Sequence, residues 1–390
     1  MSENAVILDG LAEFDPASDF EAFLAKIPAR WVTYLVSDEN DAPLQLLCVK
    51  NLRASLKRRL GGNEQIGPTR QVNYRDVVRR VRWQRVDSAF EADWIYHEIA
   101  RQTFPKTYQG MLGHRPAWFV QINPETEFPR FIKTIELSRR GVYLGPLEDK
   151  HAAARFIQLI EDLFDLCRYY NILIEAPNGK ACAYKEMGKC PAPCDGSISI
   201  QQYHNQIDMA LRTLADPADA VRTHSRRMEQ AAKELRFETA AKIKQYVAEL
   251  SKLGKGAFRH ARRLNDFAFI SIQPGPRKGT AKLFLICPGD IQILMCTIGD
   301  KPRASEIISA ALHAAAERSS KDLSEAGIER VGIVSAHLFS PKASPGVFIR
   351  LDELSEPKVS KAINDLWKKL AEPTANDDDE GVLKELDSLE

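Results

Sequence analysis

The chain of 390 residues has almost no net charge: 54 Lys and Arg stand against 53 Asp and Glu, or +1 in all. Overall charge therefore neither favours nor excludes a polyanionic partner. Long apolar runs are missing too. No stretch reaches the roughly 18 apolar residues that a helical membrane span needs, which excludes that class. Residues 1–19 hold acids where a secretory leader needs a basic start and an apolar stretch, so a cytoplasmic location is the default expectation. Cysteine is scarce and odd in number: Cys48, Cys167, Cys182, Cys190, Cys194, Cys287 and Cys296. With no secretion signal, that argues against a disulfide framework.

What is present is unevenly placed. From Lys50 to Arg85 eleven basic residues face only two acids, Glu64 and Asp76. Lys50, Arg53, Lys57, Arg58, Arg59, Arg79, Arg80 and Arg82 make this block a candidate phosphate-binding surface, with a solvated helix face as the alternative. Residues 371–390 carry eight acids against Lys384 and are expected to be a disordered acidic tail. Four of the seven cysteines fall within 28 residues, spaced C-x14-C-x7-C-x3-C. Thiolates are soft donors that suit zinc or an iron–sulfur cluster. Structural zinc sites mostly use two short pairs, and here only Cys190 and Cys194 form one, which tilts the reading towards a cluster. Four buried, reduced thiols are the alternative.

Periodicity gives a mixed α/β chain. Strands are expected at 31–36, 44–49, 81–86, 118–122 and 134–137, with helices at 19–25, 51–60, 88–102, 155–166 and 202–214. Residues 217–253 carry no strand signal and read as two helices meeting near Arg236 and Phe237. A strand-rich texture follows: 267–272, then 282–287 and 291–297 across the turn Pro288-Gly289-Asp290, an alanine-rich helix at 306–317, and a strand at 330–335.

Read in order, these pieces resemble a known family. Arg140-Gly141-Val142-Tyr143-Leu144-Gly145-Pro146-Leu147, then a helix, then Cys182-Ala183-Tyr184-Lys185-Glu186-Met187-Gly188-Lys189-Cys190-Pro191-Ala192-Pro193-Cys194 is similar to the GxYFGPY … C-x5-G-R-C-x-x-P-C segment of UvrC, the incision subunit of bacterial nucleotide excision repair. The run from Met228 through Leu235, Phe237, Glu238, Ala240 and Ala241 resembles the UVR motif by which UvrC pairs with UvrB. The resemblance covers about residues 25 to 260 and continues more loosely beyond.

The resemblance implies an N-terminal GIY-YIG nuclease module, and the chemistry at its positions is mostly replaced. Lys50-Asn51-Leu52-Arg53 sets the register. Tyr34 then stands at the first motif's tyrosine and Val32 at its glycine. Gln45, Leu47 and Cys48 take the second motif's tyrosine, glycine and lysine. Ser55 takes the catalytic arginine, Arg59 the following tyrosine, and Tyr96 the metal-binding glutamate. Phosphodiester cleavage needs a carboxylate-held divalent ion and a cation for the developing charge. Tyr96 is a poor magnesium ligand and Ser55 cannot fork onto phosphate. Tyr34, Gln45, Ser55, Arg59 and Tyr96 are accordingly vestigial, no catalytic magnesium is expected, and the module reads as a pseudo-nuclease. A rearranged active site using Tyr34, Arg53 and Glu98 is the competing reading, although Glu98 lies two residues along the helix from Tyr96, about 200° away. The family's RNase H-like second nuclease is not expected before Glu390, and Asp290 and Asp352 read as turn or surface residues.

The expected architecture is an α/β multidomain chain: a leader (1–24), a degenerate GIY-YIG-like domain (25–115), an extension with a helical cysteine-cluster domain (116–214), a UVR helical hairpin (215–256), a C-terminal α+β domain (257–370) and the tail. The expected function is a UvrC-like repair protein that binds DNA and a UvrB-type partner without incising. Its metal is a 4Fe–4S cluster, with zinc as the alternative, on Cys167, Cys182, Cys190 and Cys194. Met228, Leu235, Phe237, Glu238, Ala240 and Ala241 are the partner contacts. The competing functions are an active structure-specific endonuclease and a redox- or metal-sensing adaptor.

Overall fold

The computed structural model describes residues 8–61, 74–113, 116–137, 140–277, 280–297, 303–317, 323–339 and 346–371. The expected acidic tail, and Arg70 of the basic block, lie outside these residues.

The N-terminal module runs β1 (Gly10–Glu13), α1 (Phe20–Lys26), β2 (Val32–Ser37), β3 (Pro43–Val49), α2 (Leu52–Leu60), α3 (Tyr74–Val77), β4 (Arg80–Arg85) and α4 (Ala89–Thr103). Its antiparallel sheet has the order β1-β4-β2-β3. β2 is buried at every position because both faces of the sheet are covered. Leu52, Leu56 and Leu60 of α2 pack with Phe23, Ile27, Val32 and Tyr34 on one face; Ile95, Ile99 and Ala100 of α4 pack with Leu35 and Leu46 on the other. Asn51 caps α2 and Ser88 caps α4, each accepting a first-turn N–H. The stretch read as a leader supplies β1, one of the sheet's two edge strands. Gly10 sits opposite Trp83 in register, and a Cβ there would come within 2.0 Å of the indole.

The middle module holds β5 (Trp118–Ile122), β6 (Ile132–Thr134), β7 (Val142–Leu147), α5 (Lys150–Leu163), α6 (Tyr170–Leu173), α7 (Ala183–Glu186) and α8 (Ile200–Ala215). A helical hairpin follows, α9 (Pro217–Lys233) and α10 (Phe237–Leu250), then the short strand β8 (Arg262–Arg263). β8 returns to close the sheet β6-β5-β7-β8. Against the expectation from periodicity, β6 lies earlier than 134–137 and α5 starts earlier than 155. Asp149 fixes that start by accepting the His151 and Ala152 N–H groups.

The C-terminal module comprises β9 (Phe269–Pro274), β10 (Ala281–Cys287), β11 (Asp290–Thr297), α11 (Ala304–Ala316), α12 (Glu325–Phe339), β12 (Val347–Arg350) and α13 (Glu356–Ala371), with antiparallel order β11-β10-β9-β12. α11 and α13 cover one face of the sheet and α12 the other. The strand expected at 330–335 is therefore a correction: it is the middle of α12. Val331, Ile333, Val334, Ser335 and Leu338 are all buried, because this helix is pressed between the sheet and α4. Burial on two sides erases the polar half of the helical period.

The modules share a core. Phe90 of α4, Phe119 of β5, Tyr143 of β7, Phe284 of β10 and Val334 of α12 belong to one apolar cluster.

Candidate functional site

The positions of the nuclease register come together in pairs. The Tyr34 hydroxyl lies 3.0 Å from Ser55 Oγ, deep in the core between β2 and α2. Arg59 donates to Gln45 at 3.0 Å and its guanidinium stands 5.8 Å from the Tyr74 ring centroid. Tyr96 is half-buried on the other face, its hydroxyl pushed up by burial and by the nearby Cys48 thiol. The Trp31 indole donates to Cys48 Sγ at 3.3 Å. These side chains fill the ground between strand and helix with neutral groups and one paired guanidinium.

Glu98 points the other way, as its helical offset requires. Arg330 of α12 forks onto it at 2.7 and 2.7 Å. Burial works against the carboxylate, but that fork and the His97 hydrogen bond bring it down to about 2. Arg53, the third member of the rearranged constellation, donates Nε to the Ile27 carbonyl at 2.9 Å. Tyr34, Arg53 and Glu98 thus have three separate sets of partners.

The basic block divides. Lys50, just before α2, and Arg53, Lys57 and Arg58 on it are exposed, and Lys57 pairs loosely with Glu21 at 3.6 Å. On β4, Arg82 forks onto Asp41 at 2.5 and 2.7 Å and Arg80 lies 3.5 Å from the same carboxylate. Arg79 donates to the Val78 carbonyl at 2.8 Å. Asp41, in the β2–β3 turn, thus offsets Arg80 and Arg82, and the exposed cations concentrate on and just before α2.

Three of the four clustered cysteines are buried: Cys167 just after α5, and Cys190 and Cys194 in the loop before α8. Cys182, at the N-cap of α7, is half-buried. Cys167 Sγ donates to the Tyr169 carbonyl at 3.5 Å. Interaction with the neighbouring Cys167 thiol is the main cause lowering Cys190 to about 6, against burial, and the same interaction raises Cys167. Cys194 is raised by burial and by the charges of Asp195, Cys190 and Cys182. The local backbone is tightly wound. Ala192 and Gly196 both adopt left-handed φ, and the Gly179 N–H donates to the Cys194 carbonyl at 2.8 Å. The donor chemistry suits a soft metal centre. As the thiols stand, however, no group of three or more Cys, His, Asp or Glu among the described residues has metal-holding geometry.

The α9–α10 hairpin is rooted and bare-tipped. At its root Pro217, Leu250 and Leu253 are buried, and further along the His224 and Tyr246 rings meet at 4.9 Å. At its tip Leu235 is 73% exposed and Phe237 65%, with Glu238 and Ala241 also exposed and Ala240 and Met228 partly covered. Leu235 turns the chain with φ +58.

Sequence reasoning missed the contact between α4 and the C-terminal module. His97 is fully buried between Glu98 Oε1 at 3.2 Å and Glu329 Oε2 at 2.8 Å, and Glu329 also accepts from the Tyr108 hydroxyl at 2.8 Å. Lys282 bridges Asp87 and Glu91, the latter at 2.7 Å, and His337 meets Asp93 at 2.8 Å. The spacing of Phe90, Trp94, His97, Glu98 and Arg101 on α4 was the available signal: a second helix face too rich for solvent.

Comparison with known proteins places two segments. Residues 117–213 match the UvrC/Cho excinuclease middle domain and residues 221–253 the UvrB/uvrC motif. The chain is 28% identical over 230 residues to the UvrABC system protein C of Clostridium perfringens (strain 13 / Type A), covering 57% of this chain and 37% of that one. It is 25% identical over 276 residues to that of Moorella thermoacetica, 69% of this chain and 43% of the relative, and 24% identical over 241 residues to that of Caldanaerobacter subterraneus subsp. tengcongensis, 61% and 39%. The matches thus span about two fifths of these relatives' length. No solved structure matches.

Proposed function

We propose that this relative of the UvrC proteins is an excision-repair protein that docks a UvrB-type partner through the α9–α10 tip and binds DNA through α2, without cutting it. The observation that carries the reading is the tip itself. Two large apolar side chains, Leu235 and Phe237, stand in solvent on a rooted hairpin inside the segment that matches the UvrB/uvrC motif. A tip aromatic of this kind fits a partner's pocket, and charged flanks such as Glu234 and Arg236 suit a matching hairpin. Capture of a UvrB-type protein by the full chain is the test. Phe237→Ala should reduce it at least tenfold, and an unchanged yield counts against the docking site.

The pseudo-nuclease part rests on neutral Tyr34, Ser55 and Tyr96 at the register positions and on Glu98 being held by Arg330. The runner-up is a rearranged endonuclease. Incision of a lesion-bearing duplex in magnesium or manganese, abolished by Tyr34→Phe, would establish it instead.

We further propose that Cys167, Cys182, Cys190 and Cys194 hold a 4Fe–4S cluster, with zinc the alternative. The support is placement: Cys167, Cys190 and Cys194 are buried and Cys182 half-buried in the tightly wound segment between α5 and α8, whose loops such a group would tie together. Metal content of anaerobically purified protein decides the identity.

A further inference from the structure

The segment from the hairpin into the C-terminal module reads Lys255-Gly256-Ala257-Phe258-Arg259-His260-Ala261-Arg262-Arg263, apart from the basic block of α2 and β4. So many cations in a folded segment ordinarily meet carboxylates. Here Arg259 donates Nε to His260 Nε2 at 2.9 Å and Nη2 to the Leu338 carbonyl at 3.3 Å, and Arg262 donates Nη1 to the Ala261 carbonyl at 2.8 Å. Among the described residues neither arginine, nor Lys255, forms an ion pair with a carboxylate. Arg350, at the end of β12, adds a fourth cation, forked onto Asp352 at 2.9 and 2.9 Å.

The crowding acts on the groups it surrounds. His260 is brought down to about 4 by burial and then by Arg259, Arg350 and Arg262, with Glu353 the opposing charge. Arg262 is itself lowered by burial and by Arg350, while Asp352, Glu353 and Asp216 act against that. Beside the cluster lies a shallow hollow of about 360 Å³ lined by Ser251, Lys252, Lys255, Gly256 and Phe258. Lys252 is tied to Glu249 at 2.5 and 2.7 Å, and Lys255 is exposed. Cations crowded together and only partly offset by carboxylates weaken the free fold and strengthen its hold on an anion.

We propose that Lys255, Arg259 and Arg262 form a second phosphate-binding site, which takes the phosphodiester backbone of a nucleic acid strand passing the root of the hairpin. Planar guanidinium forks match phosphate oxygens. A bilayer is the poorer fit, since the one large apolar side chain of the hollow, Phe258, is turned inward against Phe156 at 5.0 Å and gives no anchor. The assignment to nucleic acid rests on the DNA-binding reading above; the anion site does not.

Two measurements on the full chain separate these. Binding of a short duplex across a salt series should lose about 2 from its log–log slope in Arg259→Gln/Arg262→Gln, and about 1 in Lys255→Gln, as phosphate contacts are removed. Thermal midpoints should not fall, because mutually repelling charges have gone. An unchanged slope overturns the site, as does a double variant that melts early while binding normally. The second readout needs no variant: the His260 ring titration, followed by NMR with tripolyphosphate, with the duplex and with anionic vesicles. Tripolyphosphate and duplex should each raise the ring's midpoint by about a unit or more, since a bound anion offsets the three guanidiniums. A midpoint that tripolyphosphate leaves in place overturns the anion site. A response to tripolyphosphate or vesicles but not to duplex overturns the nucleic acid assignment.

Discussion

Glu98 shows how far one residue's meaning depends on its neighbour in space. In sequence it is the nearest carboxylate to Tyr96, where the family resemblance would set a metal-binding glutamate; in the fold it belongs to Arg330, 232 residues away. Breaking such a pair leaves a buried charge without compensation, so Arg330→Met should cost about 3–5 kcal/mol in denaturant unfolding. Replacing both partners, Glu98→Leu with Arg330→Met, should recover most of that loss; equal losses in single and double variants would mean the pair is not coupled. Tyr34 and Ser55 could be named from motif spacing, but their 3.0 Å contact depends on how α2 packs on β2. Asp41's hold on Arg82 was not legible, because a turn residue's partner is fixed by β-register and not by distance along the chain.

Most elements with one face in solvent were legible. β2, β3, α2, α4 and the two hairpin helices follow their periodicities. α12 did not, because its pattern is that of a helix buried on two sides. β1 and β12, four residues each, are too short for a period to register, whereas α13 was not expected although its sixteen residues carry a clear apolar stripe. The hairpin reversal lends itself to a prediction that separates folding from docking. Leu235 is exposed and holds φ +58, a conformation that costs an L-residue roughly 1–2 kcal/mol and glycine almost nothing. Leu235→Gly should therefore leave the thermal midpoint unchanged or slightly raised, while capture of a UvrB-type partner falls. Loss of both together would assign Leu235 to the fold alone. The cysteine loop behaves differently: its spacing was legible, but the convergence of Cys167 on Cys190 across α6 and α7 was not. Cys190→Ser should release bound metal and expose residues 167–194 to limited proteolysis; full metal retention would remove Cys190 from the ligand set.

At the scale of the molecule, the modules read from sequence as beads on a chain are joined through α4. Phe90 is fully buried, with the rings of Phe284, His337 and Phe348 all edge-on to it at 5.2–5.4 Å, so it belongs to the C-terminal module's core as much as to its own helix. Around it runs the polar clasp of His97, Glu98, Glu329 and Arg330. Burial disfavours a charged His97, but the Glu329 and Glu98 hydrogen bonds prevail and raise it above its ordinary 6.5. The stabilisation from a raised histidine is complete below the unfolded value of 6.5 and is lost as pH rises through the folded one. Glu98, lowered from 4.5 to about 2, contributes fully above 4.5 and fails as pH falls through about 2. The clasp should thus hold best between about 4.5 and 6.5 and weaken on the alkaline side, where His97→Gln should flatten the dependence. Phe90→Ala, which empties the centre of the joint at a cost of about 3–5 kcal/mol, should divide the calorimetric transition into two, with the C-terminal module melting apart from the rest. A single undivided transition in that variant would show that the modules are held together by the sheet of β5 to β8 and not by α4.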